Sequence, residues 1–335
     1  MKDMIRRHLS ARAIALALII SGCTSEPDIR DCNAPEFYAS TEAWDATRTI
    51  LGEENSQGDR IVAWSGGERI MVSSGAGRKA VSYYVTKDSG ESAMFMYDKE
   101  KDGNTRPERS SRWAAFYPAE HYSYSGGLHR MTLPEHQNFI KGQIESGVLP
   151  MTAFSDSHEL EFRHLCGVIR IRLSTLQKDV LIQSVTLSAE KCLSGDIVQI
   201  TGDEKISWVT EEGSESSNSV TLDCSNGIKA EAYTEDFMIA VPPSEYTRLK
   251  ISLHIKGQDG ISDKVYMVPG PVIVERAGMT DIVLDLSQFS SVAGDGIGIG
   301  DEKTAITSAG YVFDGAKPVM TIFKEGGEGS LDIRS

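Results

Sequence analysis

The sequence lacks the patterns that mark common catalytic or metal sites. Seven histidines occur among 335 residues, and they form neither an HExxH motif nor a pair at a tight ligand spacing. CxxC, GxSxG and P-loop patterns are also missing, and the glycine-rich run 296–300 is followed by no β-α unit. The sequence therefore indicates no catalytic residues, no metal site and no cofactor, and we predict that the chain is not an enzyme.

Positive charge is scarce as well. The chain has 34 Lys and Arg against 48 Asp and Glu, which gives a net charge of −14, and removal of residues 1–22 takes away four bases and one acid and changes it to −17. Nucleic acids and anionic lipid headgroups both bind basic surfaces, so this balance argues against either as a partner. Beyond the first 22 residues no apolar run reaches the length of a membrane-spanning helix.

The first 23 residues form a pattern typical of an exported protein. A basic start is followed by a short apolar run over 13–20, and small residues precede Cys23. This pattern resembles the bacterial lipobox, in which a peptidase cuts between Gly22 and Cys23 and the sulfur of Cys23 carries a diacylglycerol. Several acyl chains, at about 0.8 kcal/mol per methylene, anchor a protein stably to a membrane. The alternative is a secreted protein with a chance cysteine at this place.

Four cysteines remain after Cys23, at Cys32, Cys166, Cys192 and Cys224. Export permits disulfides, and four cysteines allow three pairings. Their spacing favours none of these pairings, and Cys166 lies in an apolar run, so free thiols in the core are favoured over a disulfide.

Short runs rich in Val, Ile, Tyr and Thr, separated by turn residues at intervals of about ten, predict an all-β protein. The clearest run, 168–173, alternates apolar residues with Arg170 and Arg172. The segment 98–104 looks like the start of a calcium loop, but Arg109 stands where that loop needs glutamate, so a hairpin tip is favoured. A turn or two of helix is predicted within 134–146.

Changes in composition divide the chain into five predicted parts. The boundary between the two β domains is placed where Ser and Gly bracket Leu149 to Met151, and a second boundary follows Leu286. The predicted parts are a signal peptide (1–22), an acidic tether (23–33), an N-terminal β-sandwich domain (34–155), a C-terminal β-sandwich domain (156–290), and a Gly-rich linker with a β-prone tail (291–335). The acids of the tether also resemble a surface-export signal, although an ordinary solvated tether would look the same.

A series of local motifs, in this order, resembles the fimbrillin family of the Bacteroidota, which are lipoprotein pilins and Mfa-like relatives. The motifs are ATRT (46–49), GDRIV (58–62), WAAFYPA (113–119), LP (133–134) with Gln137, LPM (149–151), LEFRHL (160–165), LSG (193–195) and FMIAVPP (237–243). They span roughly residues 45–290.

The resemblance implies two transthyretin-like β-sandwich domains, no enzymatic activity, and a lipid anchor in the outer membrane that places the chain at the cell surface. It also implies assembly with other fimbrial subunits by β-strand exchange, in support of adhesion to a host or bacterial surface ligand. Arg48, ahead of Arg60 and Arg30, is the candidate site of proteolytic maturation, and a solvated arginine at a strand edge is the alternative. The candidate donor strand consists of Tyr311, Val312, Phe313, Val319, Met320, Thr321, Ile322 and Phe323, which would otherwise complete the chain's own second sandwich.

The position of the chain in a fibre stays open between stalk, tip and anchor. The rival hypothesis is a monomeric surface lipoprotein that binds glycan or protein, which an exposed row of aromatic side chains would favour.

Overall fold

The computed structural model describes residues 34–42, 64–75, 78–87, 90, 92–102, 105, 109–174, 180–202, 204–210, 215–229, 235–257, 260–286, 289–292, 308–314 and 317–323. Over these ranges the chain forms 25 strands, one helical turn and one 3₁₀ turn, so the all-β prediction is confirmed. Within them, no helix has both the length and the apolar character needed to cross a membrane. The predicted signal peptide and tether lie outside the described residues.

Seven strands from the N-terminal part pair into a closed barrel. Their bounds are Phe37–Thr41 (β1), Arg69–Ser73 (β2), Val81–Val85 (β3), Ser92–Tyr97 (β4), Trp113–Tyr117 (β5), Met151–Ser155 (β9) and Glu159–His164 (β10). The order around the barrel is β1-β10-β9-β5-β2-β3-β4. Neighbours are antiparallel except for β1 and β10, which run parallel. Because side chains alternate across each strand, every second residue enters the barrel core.

The turn after β4 differs from its predicted form. Residues Lys99–Asp102 form a helical turn (α1) and not a hairpin tip. The carboxylate of Asp98 accepts hydrogen bonds from Arg69 Nε at 2.9 Å and from the backbone N–H of Lys101 at 3.2 Å, and Asp102 Oδ2 accepts one from the backbone N–H of Ser82. These two acids fasten the turn to β2 and β3, while Lys99, Glu100 and Lys101 stay exposed.

Three short strands leave the barrel and join the C-terminal part. A 3₁₀ turn at Ala119–His121 leads into Tyr122–Ser125 (β6), Leu128–Leu133 (β7) and His136–Asn138 (β8). The helix predicted within 134–146 is wrong, since β8 is a strand whose central residue, Gln137, is buried. The Gln137 amide exchanges two hydrogen bonds with the backbone of Ala240, at 2.9 and 3.0 Å, and these bonds hold the segment extended.

The C-terminal part is a sandwich of two main sheets, accompanied by smaller sheets. Its strands are Gly167–Leu173 (β11), Leu181–Ser188 (β12), Ser194–Ile200 (β13), Ile206–Trp208 (β14), Ser216–Ser217 (β15), Ser219–Lys229 (β16), Phe237–Val241 (β17), Ser244–Tyr246 (β18), Lys250–Gly257 (β19), Gly260–Met267 (β20), Val272–Val274 (β21), Met279–Leu284 (β22) and Ser290–Val292 (β23). The two main sheets have the orders β17-β11-β22 and β23-β20-β19-β12-β16-β8, and their facing sides enclose the largest apolar core.

A second apolar core joins the barrel to the sandwich. It contains Phe116 from β5, Met131 from β7, Val198 from β13 and Val168 from β11. Strands β14, β13, β7 and β6 form the sheet beside it, with β15 on the edge of β13. The predicted boundary at 155/156 falls between β9 and β10, which pair with each other in the barrel. The positions of the domain boundaries stay a prediction.

Three of the cysteines are buried free thiols, as predicted: Cys166, Cys192 and Cys224. Burial raises the pKa of the Cys224 thiol to about 12, which keeps the sulfur protonated and unreactive. Cys32 lies outside the described residues.

Candidate assembly site

Strand β1 closes the barrel and is bonded on both of its edges. It runs parallel to β10, with Tyr38 opposite Glu159, and antiparallel to β4, with Phe37 opposite Phe95. The backbone N–H of Tyr38 donates to the carbonyl of His158 at 2.9 Å. Removal of β1 would leave two neighbouring strands with unpaired backbone groups and would open the barrel along one line.

The inner face of β1 fills an apolar groove. Phe37 is fully buried, and its ring lies 5.0 Å from the ring of Tyr83, 5.0 Å from that of Trp113 and 5.3 Å from that of His158. Ala39 takes the next inward position, whereas Tyr38 between them is 55% exposed on the outside. The groove therefore accepts a strand with an apolar side chain at every second residue, which is the pattern that strand addition reads.

The residue that follows β1, Glu42, fastens the end of the strand. Its backbone N–H donates to the carbonyl of Phe162 at 2.9 Å, and its Oε1 accepts the backbone N–H of His164 at 2.6 Å. The guanidinium of Arg276 forms an ion pair with the same carboxylate and donates to the carbonyl of His164 at 3.1 Å. Burial, and then the nearby charge of Arg276, lower the pKa of His164 to about 3, so this imidazole is neutral.

The residues predicted for processing lie outside the described residues. These are Gly22 and Cys23 for lipidation, and Arg48 with Arg60 and Arg30 for maturation. The described chain stops at residue 42 and resumes at residue 64, so Arg48 belongs to the connection that follows β1. A cut there would separate β1 covalently from the rest of the barrel.

The predicted donor segments form strands. Ser308–Asp314 (β24) and Lys317–Phe323 (β25) pair as an antiparallel hairpin with Val312 opposite Val319. Strand β25 lies near β22, an edge strand of the three-stranded sheet, with Cα atoms within 8 Å. Their use as donor strands stays a prediction.

A polar cleft of 670 Å³ is lined by residues 65–69, 117, 118, 120, 121, 134, 136, 138 and 145–148, and it includes the carboxylates of Glu68, Glu120 and Glu145. Tyr117 Oη donates to Glu68 Oε1 at 2.7 Å, and both the backbone N–H and the side-chain amide of Asn138 donate to Glu145 at 2.7 Å. Burial lowers the pKa of His121, which also lines the cleft. The side chain of Glu120 is exposed in the cleft, where it can accept hydrogen bonds. Together with its volume, this gives the cleft room and hydrogen-bonding groups for a small polar molecule.

The described residues contain no group of three or more His, Cys, Asp and Glu side chains that could hold a metal ion. Trp64 and Trp113 are buried in the barrel core, which removes them from any aromatic binding platform.

The sequence did not point to β1 as the central element. The run FYAST at 37–41 is short and partly polar, and its burial comes from strands up to 125 residues away, as with the pair Phe37–Phe162 in one core. One signal could have identified β1 as a strand. Apolar residues alternate there with an amphipathic one, since Phe37 and Ala39 flank Tyr38.

No family model and no curated protein matches the chain. Among solved structures, it is similar to a "putative cell adhesion protein" from Bacteroides ovatus ATCC 8483, with 13% identity and a TM-score of 0.45 over 78% of this chain and 95% of that chain. A second such protein, from Bacteroides uniformis ATCC 8492, has 10% identity and a TM-score of 0.44 over 76% and 95%. A fimbrial assembly protein from Parabacteroides distasonis ATCC 8503 has 9% identity and a TM-score of 0.32 over 75% and 90%. All three neighbours come from Bacteroidota, and they are named as "putative cell adhesion" or fimbrial assembly proteins.

Proposed function

We propose that the chain is a fimbrial subunit or a fimbria-associated surface lipoprotein that assembles by β-strand exchange and supports cell adhesion. The observation that carries the proposal is the placement of β1, which completes the barrel with both edges bonded and precedes the connection that contains Arg48. The order of the sequence motifs, which resembles that of the fimbrillin family, supports the same proposal.

In this mechanism a cut after Arg48 turns β1 into a separate piece held by backbone hydrogen bonds and by Phe37 and Ala39. Once β1 leaves, its two neighbours present unpaired N–H and C=O groups beside an apolar groove. A strand from another subunit that supplies backbone partners and alternating apolar side chains satisfies both needs. The β-prone tail of a neighbouring copy, with Tyr311, Phe313, Met320 and Ile322 among its alternating residues, is the proposed donor.

The proposed location is the cell surface, with the chain held in the outer membrane through acyl chains on Cys23. Partners in this proposal are other fimbrial subunits and a ligand on a host or bacterial surface. The absence of a metal or cofactor motif in the sequence fits a structural role.

The proposal is tested by Arg48→Ala, with Arg60→Ala as a matched control in the same connection. Cells that carry an arginine-specific surface protease are compared for the amino terminus of the mature chain and for heat-sensitive oligomers on unheated gels. We expect Arg48→Ala to remain uncut and monomeric and Arg60→Ala to assemble. Normal assembly of the Arg48→Ala chain would remove this residue from the mechanism.

The polar cleft supports a second candidate, a monomeric surface lipoprotein that binds glycan or protein. In that case Glu120→Gln would weaken binding to a glycan array, while an exposed control, Glu159→Gln on the outside of β10, would bind normally. Binding that is equal in both variants would speak against the cleft.

A further inference from the structure

The carboxylate of Glu42 connects β1 to a turn in the sandwich. Its Oε1 accepts the backbone N–H of His164 at 2.6 Å and is paired with Arg276 Nη1, which also donates to the carbonyl of His164 at 3.1 Å. The side chain of Glu42 is 19% exposed and that of Arg276 is 43% exposed, so the pair is partly shielded from water. The side chain of Glu42, at the end of β1, thus contacts both the end of β10 at His164 and Arg276, which is 234 positions away in the chain.

The turn that carries Arg276 is fixed in place. The backbone N–H of Ala277 donates to the carbonyl of Cys166 at 2.9 Å, and that of Val168 donates to the carbonyl of Gly278 at 2.9 Å. A Cβ atom on Gly167 would lie 2.2 Å from the carbonyl oxygen of Glu275, so the turn is packed directly against the β10–β11 connection. Arg276 is therefore presented to Glu42 by a rigid element.

The two partners stand on opposite sides of the candidate cut. Glu42 lies before Arg48, and both His164 and Arg276 lie after it. After cleavage at Arg48 the pair would become an interaction between two separate chains. Together with the β1 ladder and the burial of Phe37, it would determine how long the cut strand stays in the barrel.

We propose that Glu42 and Arg276 form a latch that retains β1 in the cut subunit until an incoming strand displaces it. The inference rests on the proposed function, because it concerns the release step of strand exchange. Retention has a physical purpose, since a barrel that lost β1 early would expose two unpaired strand edges and an apolar groove to non-specific association. Glu42 acts as a positioning residue, and Phe37 supplies the apolar contact.

The test uses the full-length chain in detergent, with a specific protease recognition sequence inserted after Arg48 so that the cut is made at one place. Release of the N-terminal fragment is followed by size exclusion and mass spectrometry, with a labelled peptide of residues 34–48 as competitor. We expect Glu42→Gln and Arg276→Gln each to speed release by about 2–5-fold, and the double variant to be no faster than the faster single variant. Salt should speed release from the unsubstituted chain more than from Glu42→Gln.

The matched control is Glu36→Gln, which makes the same change at an exposed position on the same fragment. We expect its release rate to equal that of the unsubstituted chain. Equal rates in Glu36→Gln, Glu42→Gln and Arg276→Gln would overturn the latch, whether release is fast or slow in all of them. A cut chain that exchanges the labelled peptide but never forms oligomers would instead contradict strand-exchange assembly and leave the latch measurement valid.

Discussion

Substitution of Phe37 by alanine is expected to destabilise the barrel strongly, because the ring is the main apolar side chain that β1 places in the core. An aromatic side chain buries about 150–250 Å², which at about 25 cal/mol per Å² gives an upper bound of about 4–6 kcal/mol. Measured Phe→Ala changes in cores cost about 3–5 kcal/mol. Because Phe37 is fully buried and contacts three rings at 5.0–5.3 Å, we expect about 4 kcal/mol.

The assay is urea unfolding followed by tryptophan fluorescence, since Trp64 and Trp113 lie in the same core as Phe37. The control is Tyr38→Ala, one residue along β1, where the side chain is 55% exposed and the expected change is within about 1 kcal/mol. Phe37→Ala should lower the midpoint with an unchanged slope. Equal midpoints for the two variants would refute the assignment of Phe37 to the groove and with it the role given to β1.

Three further outcomes are expected. Cys23→Ala should move the protein from the membrane fraction to the soluble fraction, and continued sedimentation with membranes would contradict lipidation. Deletion of residues 311–335 should leave a folded chain that fails to assemble, whereas an unfolded product would assign the tail to the chain's own core. Burial lowers the pKa of His129 to about 4 from an ordinary 6.5, so the unfolded chain takes up this proton first, and the free energy of unfolding should fall by about 3 kcal/mol as the pH drops from about 6.5 to about 4. His129→Gln should flatten that part of a pH series of urea midpoints, and an unchanged slope would show that the imidazole is already solvated.

The sequence predicted the class of the fold, and it predicted which face of its clearest strand, β11, enters the core. Ile169, Ile171 and Leu173 lie in the sandwich core as their alternation indicates. Arg170, in contrast, is only 3% exposed, because Asp281 on β22 and Asp236 before β17 neutralise it. Those partners are 111 and 66 residues away in the chain, and no local pattern could have placed them beside it.

The errors in local structure have the same origin. The segment around Gln137 is extended because its amide bonds to Ala240, and the segment after Asp98 is helical because its acids are held by Arg69 and Ser82. Tertiary hydrogen bonds determine the backbone conformation of these polar segments. Hydrophobic periodicity is weak in them, and intrinsic secondary-structure propensity is a poor guide.

The candidate site was likewise predictable only in part. The sequence resemblance supplied Arg48 and the tail, whereas β1 and the contact between Glu42 and Arg276 required coordinates. A parallel pair such as β1 and β10 joins segments more than a hundred residues apart. The sequence contains many arginines, and nothing near Glu42 in the chain indicates which of them pairs with its carboxylate.

The most direct test of the central claim is limited trypsin treatment of the purified chain lacking residues 1–23, followed by light scattering and unheated gel electrophoresis. The account predicts a cut near Arg48, loss of the fragment that contains β1, and a ladder of stable oligomers. A clean cut at that place that leaves the protein monomeric would contradict strand exchange between copies of this chain.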